Sequence, residues 1–339
     1  MKEITYEEAY TLKKPFFIDV RSQYEYSIDH IPGAVNVPLF NNEERREIGR
    51  IYHLLGKGDA IIRGSEIAGS KIGDIVANLH KVRDSDFVIY CFRGGLRSTS
   101  LVSLFTSLDF NIYKLKDGYK GYRKYVLLRL NSLSIKPKVF VIQGLTGTGK
   151  TAVLRRLKNS IDLEGMAGHR SSVFGGIGLQ QKTQKMFESL LLNRIDSLNE
   201  EEYIVFEGES RKIGNLHIPL KILNHLYNSP TILLKASIER RVEILLKEYT
   251  VNLNSDEVVS IVKSLSNRIG VKNVNLLVEL FMNGKLFEFT RLLLDKYYDP
   301  LYKHTLKKMD FIAEIVNINC NKTTTEIERI IEEHIHSAA

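Results

Sequence analysis

Two short stretches of this chain combine residue types and spacings that suit chemistry. The first is CFRGGLRS, residues 91–98, where one of only two cysteines precedes two glycines and two arginines. The apolar run FVIY, 87–90, leads into it as a strand, and LRSTSLVSLF, 96–105, leaves it as a helix. A cysteine in that position meets the N–H groups of a tight turn and the positive end of the following helix, and both favour thiolate over thiol. Arg93 and Arg97 add positive charge, while Gly94 and Gly95 let the backbone approach a tetrahedral anion closely. An inert core cysteine needs none of these neighbours. Cys91, Arg93, Gly94, Gly95 and Arg97 are therefore expected to form a catalytic loop around an exposed thiol.

The second stretch is GLTGTGKT, residues 144–151, which follows the strand-like KVFVIQ and opens a helix over TAVLRRLKN, 151–159. Two glycines separated by four residues, then Lys and Thr, in a strand-to-helix context, satisfy the Walker A pattern. Gly144, Gly147, Thr148 and Gly149 supply the N–H cradle for a diphosphate, Lys150 neutralises its oxygens, and the Thr151 hydroxyl is placed to meet a Mg²⁺. The pattern implies a diphosphate more firmly than a nucleotide. The strand YIVF, 203–206, ends in EGES, so that Glu207 or Glu209 stands where a metal-holding Asp is usual, and no metal ligand is assigned. DLEGMAGHRSSVFGG, 162–176, and EGESRKIG, 207–214, lie where strand ends converge on a ligand. They offer Asp162, Glu164, His169, Arg170, Glu207, Glu209 and Arg211 as supporting site residues.

The elements that must position these residues alternate between apolar strands and helical periods, as in α/β folds with parallel sheets. With 339 residues, 43% hydrophobic and 26% charged, the chain has room for about two domains. Strands are expected at Phe16–Val20, Phe87–Tyr90 and Ile112–Leu115, with helices at Asn42–Leu55, Ser65–His80, Gly95–Leu108 and Tyr119–Leu130. The polar NSLSIKPK, 131–138, separates residues 1–131 from a second domain over 138–339. Its strands begin at Val139 and continue through YIVF and TILLKA, 231–236, with a helical insertion at about 255–308. TTTE, 323–326, has the form of a capping box opening a last helix. Two cysteines exclude a disulfide framework, and no Cys/His cluster has zinc spacing. No run is long and apolar enough for a membrane span, and Glu7 and Glu8 fall where a signal peptide would be apolar, which predicts a cytoplasmic protein with no membrane partner. The net charge of +8 favours a polyanionic partner.

The surroundings of Cys91 resemble the active-site loop of rhodaneses, and IDVRSQYEYSIDHIPGAVNVPLF, 18–40, is similar to that family's upstream pattern. Asp19 and Arg21 within it read as a structural pair. Five residues separate Cys91 from Arg97, one more than compact rhodaneses usually have. That spacing resembles the loop of cysteine phosphatases and suits a phosphorus-centred donor. The whole arrangement, with PLFNNEERREIGRIYHLLG, 38–56, and YYDPLY, 297–302, resembles the tRNA 2-selenouridine synthase family; Ser171 departs from it where a glycine is expected after His-Arg. The resemblance implies a transferase acting on tRNA with 2-thiouridine at the wobble position. Geranyl diphosphate first alkylates the sulfur, and selenium from selenophosphate then replaces it, with Cys91 carrying selenium as a perselenide. Geranyl diphosphate and selenophosphate are cosubstrates, no cofactor is tightly bound, Mg²⁺ is compatible, and a selenophosphate-supplying enzyme is a transient partner. Arg155, Arg156, Lys158, Arg240, Arg241, Lys307 and Lys308 are candidate tRNA phosphate contacts. A cysteine phosphatase, a nucleotide kinase fused to a rhodanese-like domain and a non-catalytic tRNA-binding module remain as alternatives.

Overall fold

The structure is a computed structural model that describes residues 2–249 and 254–337. It divides into two compact units, 2–132 with Glu188–Leu190 and the remainder. In the first, five strands, β1 (Lys2–Ile4), β2 (Pro15–Asp19), β3 (Val35–Asn36), β4 (Asp86–Tyr90) and β5 (Ile112–Leu115), form a parallel sheet in the order β1-β5-β4-β2-β3. Phe87, Val88, Ile89 and Tyr90 are each at most 1% exposed, so this strand is buried on both faces and has no polar alternation to show. From β2 the chain steps outward to β3 and then returns to β4 on the other side. That reversal opens a crevice at the carboxyl ends of β2 and β4, and Cys91 directly follows β4.

The helices mostly follow the apolar periodicity. Asn42–Leu54 starts with a capping box between Asn41 and Glu44, and the helices Leu96–Ser107 and Gly118–Asn131 flank β5. The single helix expected over Ser65–His80 is instead two, Lys57–Gly69 and Ile72–His80. Gly69 and Ser70, both poor helix formers, end the first of them.

The second unit contains β6 (Lys138–Gly144), β7 (Ser160–Ile161), β8 (Tyr203–Glu207), a short antiparallel hairpin of β9 (Lys212–Ile213) and β10 (Leu216–His217), β11 (Thr231–Lys235) and β12 (Ala313–Val316). Its parallel sheet has the order β12-β11-β6-β8-β7. Strand order reverses around β6, which places the glycine-rich loop at the crevice. The helix after that loop covers only Lys150–Leu154, shorter than the expected 151–159, because Ser160 donates to the Leu154 and Leu157 carbonyls and turns the chain into β7. Between β11 and β12 the helices Ile238–Tyr249, Ser255–Ser264, Val271–Met282 and Leu286–Leu293 build a core of their own around Val242, Val258, Val262, Leu277 and Leu294.

The last helix runs from Cys320 to His336, with Asn319 as its cap, so TTTE does not open it. The Thr324 hydroxyl donates to the Cys320 carbonyl and that of Thr323 to Asn317, which satisfies both inside the helix. No helix among the described residues is long and apolar enough to cross a membrane.

Candidate functional site

At the end of β4 the Cys91 residue is 3% exposed, which corrects the expectation of an exposed thiol. The loop curls around its sulfur: the Gly95 N–H donates to Sγ at 3.2 Å, and the Ser98 hydroxyl lies 3.3 Å away. Burial pushes the Cys91 thiol up, but the Ser98 hydroxyl, the Arg97 charge and the N–H groups of Ser98 and Arg93 outweigh it and hold the thiol below its ordinary range. Arg93 thus serves the sulfur through its backbone, while its guanidinium is exposed over the Phe92 ring at 5.7 Å. Arg97 donates to Glu25 at 3.0 Å. Burial raises the Glu25 carboxyl, yet Arg97, the Ser22 N–H and Arg45 bring it below its usual range. An ionised Glu25 is not the general acid that a cysteine phosphatase would need at neutral pH.

Asp19 and Arg21 are the structural pair expected, a bidentate bridge with Arg21 also donating to the Asp29 carbonyl at 2.6 Å. Sequence reasoning missed Gly118. It has φ of +55°, and a Cβ there would fall 2.2 Å from the Cys91 carbonyl oxygen and 2.6 Å from the Gly94 nitrogen. The next N–H groups, of Tyr119 and Lys120, donate to the Cys91 and Phe92 carbonyls at 2.9 and 3.0 Å, so this helix start braces the loop. The available signal was a glycine just after β5. In a Cys320→Ser background, iodoacetamide alkylation of Cys91 followed against pH is expected to reach half its maximum below the ordinary thiol range, and Ser98→Ala should move the midpoint upward. An unchanged midpoint would remove Ser98 from the account.

In the second unit the glycine-rich loop is closed on itself: Lys150 Nζ donates to the Gly144 carbonyl at 3.0 Å and the Thr148 hydroxyl to that of Leu145 at 2.9 Å. Gly149, at φ of +86°, leaves no room for a side chain, since a Cβ would lie 2.6 Å from Asn317 Nδ2. Asn317 in turn donates to the Thr148 carbonyl at 2.8 Å. An open cleft of about 500 Å³ brings Gly144, Gly147, Gly149, Lys150 and Thr151 together with Glu164, Arg170 and Glu209. Glu207 is fully buried beside it and accepts from the Thr151 hydroxyl at 2.9 Å. Oxygens of Glu164, Glu207 and Glu209 lie within 4.8 Å of one another. Burial first, and then mutual repulsion for Glu164 and Glu207, push these carboxyls above their usual range against the pull of Lys150.

Five expected site residues lie outside the cleft lining: Glu207 beside it, Thr148 buried within the loop, and Asp162, His169 and Arg211. Asp162 caps the helix Leu163–Ala167 and pairs with Arg155 at 3.0 Å. His169 packs against Gly175 and Gly214, where a Cβ would fall 2.8 Å from its ring; burial and then the Arg170 charge hold it below its ordinary range. Arg211 is exposed, beyond the cleft. Arg170 lines the cleft, donates to the Ile177 carbonyl at 3.1 Å and lies 4.7 Å from the Tyr249 ring centre. Ser171 adopts φ of +50°, so the loop keeps a left-handed turn without the glycine that would make it easy. Ser171→Gly should stabilise the protein by about 1 kcal/mol, read from chemical denaturation; a loss of stability would argue against strain there.

Arg241 is not a surface contact for tRNA. It is buried, donates to Asp299 at 2.5 and 3.1 Å, and donates through Nε to the Thr146 carbonyl of the loop at 2.8 Å. YYDPLY thus contributes the acid that positions the arginine supporting the glycine-rich loop. Arg241→Ala would leave the buried Asp299 carboxylate with only the half-exposed Lys303, 3.3 Å away, as an ion-pair partner and should cost about 3 kcal/mol in denaturant unfolding. A cost near zero would mean that Lys303 suffices to hold Asp299. Arg155, Arg156, Lys158, Arg240, Lys307 and Lys308 remain on the surface.

A loop that holds a thiol toward thiolate at a parallel-sheet crevice, and a Walker A loop at a second one, define a rhodanese-like domain joined to a P-loop domain. Comparison with known proteins agrees: a family described as rhodanese-like domain matches residues 5–125, and one described as tRNA 2-selenouridine synthase AAA domain matches 137–267. A tRNA 2-selenouridine synthase of Pseudomonas syringae pv. syringae (strain B728a) is 32% identical over 88% of this chain and 91% of its own length. That of Sulfurovum sp. (strain NBC37-1) is 30% identical over 86% and 88%. Among solved structures, the N-terminal domain of a protein described as ATP/GTP binding, from Clostridium difficile 630, is 44% identical, covers 37% of this chain and 99% of its own, and has a TM-score of 0.37. The chain belongs to the tRNA 2-selenouridine synthase family.

Proposed function

We propose that this protein converts wobble 2-thiouridine in tRNA to 2-selenouridine, with geranyl transfer at the P-loop cleft and selenium transfer at the Cys91 loop. In the first step the thiouridine sulfur attacks C1 of geranyl diphosphate. The C1–O bond breaks, its electron pair leaves on the diphosphate, and the nucleoside loses its N3 proton. The loop N–H groups, Lys150 and Arg170 neutralise the leaving diphosphate where its charge develops. The oxygens of Thr151, Glu164, Glu207 and Glu209 are hard donors that fit Mg²⁺, which when bound would neutralise further diphosphate charge.

In the second step the Cys91 thiolate attacks the phosphorus of selenophosphate, and hydroselenide leaves with the P–Se electron pair. Hydroselenide adds to C2 of the S-geranyl nucleoside, geranylthiolate departs, and the selenium's proton ends on N3. Water then cleaves the phosphocysteine to phosphate. This route is redox-neutral. A perselenide on Cys91 would require phosphorus to leave as phosphite, so phosphorus NMR of the spent donor separates the two routes.

The observation that carries this reading is a thiol held toward thiolate in a loop with phosphatase-like spacing, in a chain that also has a diphosphate cradle. The test is mass spectrometry of nucleosides from 2-thiouridine tRNA incubated with geranyl diphosphate alone or with selenophosphate added. A geranylthio nucleoside in the first case and 2-selenouridine in the second are expected. An unchanged nucleoside with either donor would overturn the proposal, and protection by ATP in a melting assay would then favour a kinase.

A further inference from the structure

Next to the P-loop cleft lies a second, smaller cavity of about 70 Å³. Thr146 of the glycine-rich loop, Leu245 and Tyr249 line both spaces, so the two adjoin at the loop. Apart from Phe174, the rest of the lining comes from the helical segment, including Val258, Phe289 and Leu293, and among the described residues the cavity is lined by no charged or amide side chain. Protein cores leave few voids of this kind, because unfilled apolar space forfeits packing. A nucleobase would need hydrogen-bonding partners for its polar edges, and this lining has few to give. A hydrocarbon chain needs none.

We infer that this cavity seats the hydrocarbon chain of the diphosphate ester and that the residues around Phe289 and Thr290 set the chain length the protein accepts. The inference rests on the proposed use of a prenyl diphosphate at the P-loop. Phe289 is 8% exposed and meets the rings of Phe174 and Phe281 at 6.4 and 5.4 Å, so it is one wall of the cavity. Thr290 lines the same space from a partly exposed position.

Calorimetric titration of the full chain with inorganic diphosphate, dimethylallyl, geranyl and farnesyl diphosphates tests this. Each buried methylene is worth roughly fourfold in affinity, so geranyl diphosphate should bind wild type at least ~10²-fold tighter than inorganic diphosphate. Thr290→Phe should weaken geranyl diphosphate at least ~10-fold and leave inorganic diphosphate unchanged. Phe289→Ala should shift preference toward farnesyl diphosphate. Inorganic diphosphate binding reports that each variant is folded, and the wild-type chain-length series tests the cavity even if Phe289→Ala fails that control. If geranyl transfer to tRNA is intact while the chain adds no affinity or neither variant alters selectivity, the cavity inference alone is overturned. If the chain adds nothing and no geranyl reaches the tRNA, the proposed function falls with it.

Discussion

Cys91→Ser protein supplied with 2-thiouridine tRNA, geranyl diphosphate and selenophosphate is expected to accumulate the S-geranyl nucleoside and to form 2-selenouridine at least ~10³-fold more slowly than wild type. The reason is local to the loop. The Gly95 N–H, the Ser98 hydroxyl and the Arg97 charge favour an anion on the sulfur, and a serine hydroxyl is too weak an acid for the same surroundings to ionise it near neutrality. In the proposed mechanism geranyl transfer uses none of these groups, so it should continue at the wild-type rate. Full selenation by the serine variant would sink the role given to Cys91, and loss of both products would show that the substitution damages more than the loop.

Lys150→Ala should give the complementary result, a fall of about 10²–10³-fold in geranyl transfer. Its ammonium, at the Gly144 carbonyl beside the cleft, is the charge best placed to meet a departing diphosphate. Lys150 also draws down the carboxyls of Glu164, Glu207 and Glu209, so the alanine variant should leave that group of acids more fully protonated and a poorer partner for Mg²⁺. Selenation of tRNA geranylated beforehand should proceed as in wild type. Unchanged geranyl transfer in the variant would move the reaction away from the P-loop; loss of selenation from the pre-geranylated substrate would contradict the division of labour between the two loops.

The chemistry-bearing residues of both loops were legible because each loop is a single strand–turn–helix unit. Cys91 to Ser98 and Gly144 to Thr151 meet their partners within a few positions, and residue type and spacing are enough to name them. Of the acids that gather at the cleft, Glu207 and Glu209 sit at or just beyond the end of β8, which the run YIVF predicts, whereas Glu164 follows β7, a two-residue strand too short to be read from the sequence, and was named from its own polar cluster. Asp162 looked equivalent to them and became a helix cap, since only the local backbone decides whether a carboxylate turns toward its own helix N–H groups.

What tertiary structure alone decided depends on strand order and on the approach of distant segments. Arg241 and Asp299 are 58 positions apart, and their pairing under the Thr146 carbonyl exists because the helical segment packs back onto the glycine-rich loop. Gly118 became necessary only when its helix start came within reach of the Cys91 carbonyl, and the thiol is buried because its own loop closes over it. Spacing along a chain determines contacts within a turn or two. Which apolar faces leave a cavity between them, and which charges meet beneath a loop, is settled when parallel strands and their covering helices pack, and this is where Phe289, Tyr249 and Leu245 take their places beside the glycine-rich loop.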